Sequence, residues 1–229
     1  MIYIGIDDTD ILGTRGTGRL ARGIAETLGS EHRLLGVVRH QLLQDPRVPY
    51  TSHNSSATIL LDETGETADL REIFDRVRNM MLDDFIPGSD PGLCVTRKVP
   101  EAVIEHGRRA KKIIVTQQEA RAIAHEHGIA LQGLGGTEDG VIGALAAVGL
   151  TACGDDGRYL LVGKVRDMQG LALVREVLDA GVAEIRTLDE KPVTSGMVLA
   201  DKIRPARKDG RPVAYVEWKD DCWTPLKIN

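Results

Sequence analysis

The first thirty residues of the chain pair a short apolar run with a longer amphipathic segment. Residues 2–6 form a mostly apolar run that stops at Asp7, a pattern that predicts a buried strand. Residues 17–28 place Leu20, Ile24 and Leu28 at helical spacing, and Gly29 follows as a stop signal. We therefore predict a strand, a polar glycine-containing loop and a helix, in that order.

The alternation of strand-like and helix-like segments continues along the chain. Further strands are predicted at residues 34–38, 57–61, 93–95, 112–115, 159–162 and 183–186. Further helices are predicted at residues 67–82, 117–126, 141–148 and 171–180. The dipeptide Asp209-Gly210 predicts a hairpin turn between strands at 202–206 and 212–218. This order of elements predicts an α/β (or α+β) protein.

Composition narrows the class of protein. The chain has 229 residues, a formal net charge of -5, only 3% aromatic residues and three widely separated cysteines. The acidic balance and the few aromatic residues argue against a protein whose main task is to grip nucleic acid. Two basic stretches, residues 108–112 and 204–211, are interpreted as solvated faces. The cysteine pattern excludes a disulfide framework and a zinc ribbon. With neither a signal peptide nor a membrane span recognisable, we expect a cytoplasmic protein that does not contact membranes.

The candidate chemistry lies in the loop after the first predicted strand. Asp7, Asp8 and Asp10 are three carboxylates within four residues, and Mg²⁺ prefers such oxygen ligands together with phosphate oxygens. Glycines at positions 13, 16 and 18 lead into a helix N-terminus, where backbone N–H groups favour an anion. We predict a combined metal and phosphate site, since ligands gather at strand ends in α/β sheets. The alternative is that the acids merely cap and turn the chain.

Other phosphate motifs fit less well. There is no GxxxxGK[ST] sequence, and the G-x-G-x-x-A match at residues 16–21 does not follow its strand directly. Residues 8–12 nearly fit the DxDx[TV] box of haloacid-dehalogenase-like phosphatases, in which Asp8 would be the nucleophile. That phosphatase remains an alternative.

Four ordered motifs resemble one known family. They are Ile-Gly-Ile-Asp-Asp-Thr-Asp at 4–10 with Gly-Thr-Gly-Arg-Leu-Ala at 16–21, Pro49-Tyr50 leading through 51–56 to Ala57, Asp90-Pro91-Gly92, and the glycine-rich segment 140–149. Together they resemble tRNA(Ile2) 2-agmatinylcytidine synthetase over residues 1–165. The resemblance implies a two-lobed fold, with a kinase-like N-terminal domain and a ferredoxin-like domain, and residues 166–229 as a C-terminal extension.

The resemblance also implies a function. It implies an ATP- and Mg²⁺-dependent phosphotransferase or ligase-like enzyme of tRNA processing, in which Thr17 receives phosphate before an acceptor is activated. The OB-fold and zinc ribbon of the full synthetases have no counterpart in these 229 residues, so the sequence is similar to a short stand-alone relative. Basic residues that such synthetases can carry before the glycine-rich helix are replaced by Glu138 and Asp139. We therefore expect a nucleoside-like or small acceptor, with RNA contacted only through a separate partner protein.

The predicted site can be stated residue by residue. The catalytic candidates are Asp7, Asp8 and Thr17; the metal ligands are Asp7, Asp8 and Asp10; the ATP and phosphate contacts are Gly16, Thr17, Gly18, Arg19, Gly135 and Gly136. Without the resemblance, the N-cap is the preferred interpretation of Thr17 over the phosphoacceptor. Close approach to a ligand and close helix packing are both open for Gly135, Gly136, Gly140 and Gly143. His40 is interpreted as structural, and residues 53–56 as either a substrate loop or an ordinary turn. A nucleotide-binding module without catalysis, and a homodimer, are left open.

Overall fold

The computed structural model describes residues 1–48, 53–63 and 68–228. The helices are α1 (Thr17–Leu28), α2 (Leu70–Asp83), α3 (Glu101–Ala110), α4 (Gln117–Glu126), α5 (Gly140–Cys153) and α6 (Val174–Asp179). The first strands are β1 (Ile2–Asp7), β2 (Arg33–Gln41), β3 (Ser55–Asp62), β4 (Gly92–Thr96), β5 (Ala130–Gly133) and β6 (Arg158–Leu161). They are followed by β7 (Leu171–Leu173), β8 (Glu184–Arg186), β9 (Met197–Leu199), β10 (Ala206–Lys208), β11 (Arg211–Lys219) and β12 (Cys222–Pro225).

The strands form one mixed sheet. Its order is β5-β4-β1-β3-β2-β6-β10-β11-β12-β9-β7, and β8 pairs with β11. Parallel pairing occurs between β11 and β8 and between β12 and β9, whereas β1 is antiparallel to both of its neighbours. The expected mixed α/β class is thus confirmed. Because β1 is antiparallel to β3 and β4, its carboxyl end lies beside their amino ends, so the rule that ligands bind at the carboxyl ends of parallel strands gives no support to the acidic loop as a site.

The first four strands and two helices follow a β-α-β-β-α-β order. Their sheet order, β4-β1-β3-β2, is fully antiparallel, which corresponds to a ferredoxin-like arrangement. Side chains alternate along β1, so Ile2, Ile4 and Ile6 pack under α1 and α2. Gly5 faces α5 on the other side of the sheet. Two helical layers therefore enclose this part of the sheet, and β1 ends between them.

The C-terminal strands extend the sheet beyond β6. Residues 162–216 supply most of a second core cluster, which also contains Val38, Leu60 and Tyr159 from the N-terminal part. The domain boundary predicted at residue 165 stays a prediction, and both the sheet and this core cross that point. Within the described ranges, no helix is long and apolar enough to cross a bilayer.

Several predicted elements need correction. The predicted strand at 112–115 is wrong: these residues form a turn and an unpaired extended segment after α3, which the pattern missed. The predicted helix at 171–180 begins as strand β7 and becomes helical at Val174. Helix α2 starts at Leu70, after an Asp69 N-cap, and residue 67 of its predicted start lies outside the described residues. The Asp209-Gly210 turn is confirmed, with both residues at positive φ as a type I′ turn requires.

Candidate functional site

The acidic loop crosses the edge of the sheet from one helical layer to the other. Asp7 is the last residue of β1 and faces α5, where a Cβ on Gly143 would fall 1.7 Å from its Oδ2 atom. Asp10 faces α1 on the opposite side, and Asp8, with φ at +51°, turns the chain between them. The left-handed conformation is one that aspartate tolerates better than most residues. The N-termini of α1 and α5 thus flank one short loop.

Thr17 and Asp10 form the most specific contact of the site. The Thr17 hydroxyl lies 3.0 Å from Asp10 Oδ1, and the Thr17 backbone N–H donates to the same oxygen at 3.1 Å. The Thr9 hydroxyl donates to Thr17 Oγ1 at 3.1 Å, which leaves the Thr17 proton directed at the carboxylate. The N-cap position belongs to Gly16, so the alternative interpretation of Thr17 as the N-cap is wrong. Asp10 caps the helix from outside instead, as the turn-and-cap alternative expected of one of the acids.

The other carboxylates of the loop are crowded by charges of the same sign. Burial raises the pKa of Asp8 to about 6, and repulsion from Asp90, Asp10 and Asp139 adds to that rise. Burial raises the pKa of Asp7 as well, with Asp8 the next cause. Asp90 comes from the loop before β4, and Asp139 stands at the start of α5. A bound cation would relieve this repulsion.

The metal prediction can be compared with this arrangement. Within residues 1–48, 53–63 and 68–228, no three histidine, cysteine or acidic side chains converge closely enough to hold a metal ion by themselves. Mg²⁺ commonly takes only one or two carboxylates and completes its shell with phosphate oxygens and water. The carboxylates of Asp7 and Asp8 fit that partial role, whereas Asp10 Oδ1 is already engaged by Thr17.

A cavity of about 500 Å³ opens over the acidic loop. Its acidic side consists of Asp7, Asp8, Asp10 and Asp139, with Thr17 among them. Its apolar wall is formed by Leu42, Leu43, Val48, Ile113, Ile114 and Ile142. Ile113 and Ile114 are 48% and 43% exposed, an unusual state for isoleucines in a folded protein. A ligand that carries both an apolar group and a charged group matches this combination of aliphatic and acidic side chains.

Sequence reasoning did not find the apolar wall. The strand prediction at 112–115 rests on the β-branched apolar residues Ile113, Ile114 and Val115, yet these three line the cavity instead. The signal for this role in the sequence was the position of these residues between the basic stretch 108–112 and the Thr116 capping box of α4. His53, Asn54 and Ser55 also line the cavity, whereas Ser56 is buried outside it. Residues 49–52, part of one resemblance motif, lie outside the described residues.

The residues predicted to contact phosphate do not all line the cavity. Thr17 lines the cavity; Gly16, Gly18, Arg19, Gly135 and Gly136 do not. A Cβ on Gly136 would fall 1.9 Å from Asp90 Oδ1, which also accepts the Thr137 N–H, so this loop closes on Asp90. Gly140 and Gly92 pack backbone against backbone, and a Cβ on either would fall within 2.5 Å of the other segment. Of the two roles left open for these glycines, close packing therefore applies to Gly140, while ligand contact by the other predicted residues stays a prediction.

His40 belongs to a separate buried network. Asp156 accepts the His40 Nδ1–H at 2.8 Å, and the Thr151 hydroxyl lies 2.6 Å from Nε2. Lys111 pairs with the same aspartate, and buried Arg207 donates to the Thr151 carbonyl at 2.8 Å. The structural interpretation of His40 is confirmed. The interpretation of 204–211 as a solvated face is wrong for Arg207, whose guanidinium also bonds the Tyr159 hydroxyl.

Comparison with known proteins finds one curated relative of the chain at significant similarity. No protein-family model matches the chain. It is 28% identical over 152 residues to tRNA(Ile2) 2-agmatinylcytidine synthetase TiaS from Cenarchaeum symbiosum (strain A), which covers 65% of this chain and 33% of that protein. The chain thus spans about a third of the length of this curated relative.

Solved structures give the same relationship. A tRNA fluorescent labelling enzyme is similar with a TM-score of 0.56 and 25% identity, over 65% of this chain and 35% of the other. The TiaS-tRNA(Ile2)-ATP complex has a TM-score of 0.55 and 24% identity, over 65% and 36% of the two chains. Apo TiaS, at 0.54 and 24%, covers 65% and 35% and likewise shares the fold. The chain is therefore a partial relative of tRNA(Ile2) 2-agmatinylcytidine synthetase.

Proposed function

We propose that the cavity binds ATP with Mg²⁺ and that Thr17 accepts the terminal phosphoryl group, making the protein an ATP-dependent phosphotransferase. The observation that carries the proposal is the Thr17 hydroxyl held 3.0 Å from Asp10 Oδ1 inside an acid-lined cavity. A hydroxyl needs a neighbouring proton acceptor to act as a nucleophile, and this pair supplies both groups. The solved TiaS complexes contain ATP, which supports assigning a nucleotide to this chain.

The proposed reaction uses few groups. Thr17 Oγ1 forms a bond to the γ-phosphorus of ATP, the bond from that phosphorus to the β,γ-bridging oxygen breaks, and ADP leaves. The hydroxyl proton passes to Asp10. The N–H groups at the start of α1 and α5 lie beside the loop, where they favour the negative charge of the phosphates. Asp7 and Asp8 would hold Mg²⁺, which supplies charge neutralisation for the transferring phosphoryl group.

The apolar wall is assigned to the nucleoside. Ile113, Ile114 and Ile142 contribute partly exposed aliphatic surface to the lining of the cavity. An adenine ring packed there would cover this surface, and its phosphates would then extend toward Asp7 and Asp8. The phosphoryl group on Thr17 would pass to a nucleoside-like or small acceptor. Similarity to a tRNA-modifying synthetase supports the nucleoside-like class.

Two measurements on the purified protein test the proposal. Calorimetry with ATP and Mg²⁺ measures binding, and intact-mass analysis with peptide mapping locates any added phosphate. We expect phosphate on Thr17 in the wild type and in Thr17→Ser, and none in Thr17→Ala or Asp10→Asn. Thr27→Ala is the matched control, because this exposed hydroxyl lies on the same helix and donates to the Gly23 carbonyl at 3.1 Å. It should be phosphorylated like the wild type.

The alternatives give different results. Acid-labile phosphate on Asp8, formed from a phosphomonoester without ATP, would favour the phosphatase. Tight ATP binding with no phosphate on any residue would favour the non-catalytic nucleotide-binding module. Absence of ATP binding would overturn the proposal altogether.

A further inference from the structure

The acidic loop contains one polar side chain that the proposed reaction does not use, that of Thr9. Its neighbours Asp8 and Asp10 line the cavity, whereas Thr9 is buried, at 5% exposure, and is not a lining residue. A buried hydroxyl normally has a hydrogen-bond partner. Thr9 has this partner in Thr17, so it contacts the proposed phosphoacceptor from a position outside the cavity lining.

Thr9 directs two donors at a single oxygen atom. Its hydroxyl oxygen lies 3.1 Å and its backbone nitrogen 3.4 Å from Thr17 Oγ1. A carboxylate only accepts hydrogen bonds, so the one proton of the Thr17 hydroxyl is directed to Asp10 Oδ1, 3.0 Å away. The Thr9 hydroxyl must then be the donor in its contact with Thr17. Thr17 Oγ1 is therefore held between two donors of one residue and the carboxylate of the next.

A threonine in a helix commonly has a different partner. Its hydroxyl bonds a carbonyl group one turn earlier, as the Thr27 hydroxyl does with Gly23 at 3.1 Å on the same helix. Thr17 instead has its hydroxyl fixed by the loop that precedes α1, and its backbone N–H donates to the same Asp10 oxygen at 3.1 Å. The direction of this hydroxyl is therefore set from outside the helix.

The two donors of Thr9 lie where negative charge would develop during the proposed reaction. As the Thr17 proton passes to Asp10 and the bond to phosphorus forms, Oγ1 carries part of an alkoxide charge. Donors that are already directed at such an atom stabilise the transition state without rearrangement. Thr9 and Thr17 are both buried, and hydrogen bonds are stronger there than in water. The loss of a donor at this position should therefore slow the transfer rather than weaken ATP binding.

We propose that Thr9 is a positioning residue of the phosphoryl transfer, which holds Thr17 Oγ1 with its proton toward Asp10 and stabilises the charge that develops on this oxygen. This role rests on the proposed transfer of phosphate from ATP to Thr17. The consecutive residues of the loop thus differ in role: Asp7 and Asp8 are the proposed cation ligands, and Asp10 is the proton acceptor.

The test is the rate of phosphate incorporation into the protein, followed by intact mass over a range of ATP concentrations with Mg²⁺. Thr9→Val keeps the shape of the side chain and removes the hydroxyl. It should lower the maximum rate at least about tenfold and leave the half-saturating ATP concentration unchanged. Thr9→Ser keeps the hydroxyl and should recover a maximum rate within about threefold of the wild type.

Thr58→Val is the matched control for the loss of a buried hydroxyl. The Thr58 side chain is buried on β3, outside the cavity lining, and its hydroxyl has no hydrogen-bond partner among the described residues. This variant should keep both the maximum rate and the half-saturating ATP concentration of the wild type. The melting temperature of every variant shows whether it is folded. Should Thr9→Val not fold, Thr9→Ala takes its place, since alanine and serine differ only in the hydroxyl.

The results separate the role of Thr9 from the proposed function. A wild-type protein that takes up no phosphate would overturn both. Where the wild type is phosphorylated on Thr17, an equal maximum rate in Thr9→Val would overturn only the role of Thr9. Equal losses in Thr9→Ser and Thr9→Val would do the same, because the hydroxyl would then not be the group that matters. A raised half-saturating ATP concentration with an unchanged maximum rate would contradict the positioning role and assign Thr9 to ATP binding.

Discussion

His40 shows how a buried side chain can make stability depend on pH. Because a carboxylate only accepts, His40 Nδ1 donates to Asp156, and Nε2 then accepts from the Thr151 hydroxyl. This arrangement uses the neutral ring. Burial lowers the pKa of His40 below its ordinary value of 6.5, and the Lys111 and Arg207 cations act in the same direction against the opposing Asp156 carboxylate.

The expected result is a loss of stability in mild acid. The unfolded chain takes up a proton near pH 6.5 and the folded protein does so only at lower pH, so this contribution is complete above pH 6.5 and is lost as the pH falls below it. Its slope is at most about 1.4 kcal/mol per pH unit. The pKa of Asp8 is raised to about 6, and this carboxyl changes the stability with the opposite sign. The measurement is therefore the free energy of unfolding in urea from pH 5 to 8, compared between the wild type and His40→Gln. His125→Gln, at an exposed position on α4, should run parallel to the wild type; a parallel His40→Gln curve would contradict the prediction.

Residue-level chemistry was the most accessible part from sequence. The carboxylates of 7–10 and the glycine-led helix start are local features, so their proximity to Thr17 followed from spacing alone. The crowding of Asp8 by Asp90 and Asp139 could not be predicted this way, because those residues are more than eighty positions away and meet it only through packing. The same holds for the His40 network, whose partner Asp156 lies 116 residues further along the chain.

At the scale of elements, the close packing of helix α5 on strand β1 depends on small residues in both elements. A Cβ on Gly5 of β1 would fall 2.1 Å from the Ala144 carbonyl oxygen, so the helix lies directly on the strand. This close approach brings the first turn of α5 against Asp7. The helix itself was predictable from its apolar run, but which glycines face the sheet and which face the site depends on a contact that no local pattern records.

Two glycine substitutions distinguish an effect on the site from an effect on helix stability. Gly143→Ala places a methyl group where the Asp7 carboxylate lies, so the carboxylate must rotate away, and we expect Mg²⁺-dependent ATP binding to weaken at least about tenfold. Gly23→Ala on α1 meets nothing within 4 Å and should stabilise the protein by about 0.5–1 kcal/mol without changing ATP binding. Calorimetry and thermal unfolding of both variants check these outcomes. Unchanged binding in Gly143→Ala would show that the position of Asp7 is not needed.

At the scale of the whole molecule, the N- and C-terminal parts share a core. Val38, Leu60 and Tyr159 pack against side chains from beyond residue 165, and β6 pairs with β10. We expect a chain ended after Val165 to lose cooperative unfolding and to bind a hydrophobic dye, because these side chains become exposed. A chain ended after Pro225 keeps all the described strands and should unfold cooperatively. Equal cooperativity in both would instead support the boundary predicted at residue 165.

The lengths of the strands bear on how copies of this protein meet. The two longest strands, β2 and β11, have nine residues each and lie inside the sheet, where β2 pairs with β3 and β6 and β11 pairs with β10, β8 and β12. The path ends in β5 and β7, which have only four and three residues. A neighbouring chain therefore finds few unpaired backbone groups with which to continue the sheet, so this rim resists edge-to-edge aggregation. We therefore expect a homodimer of this protein to be built mainly from side chains rather than from paired strands.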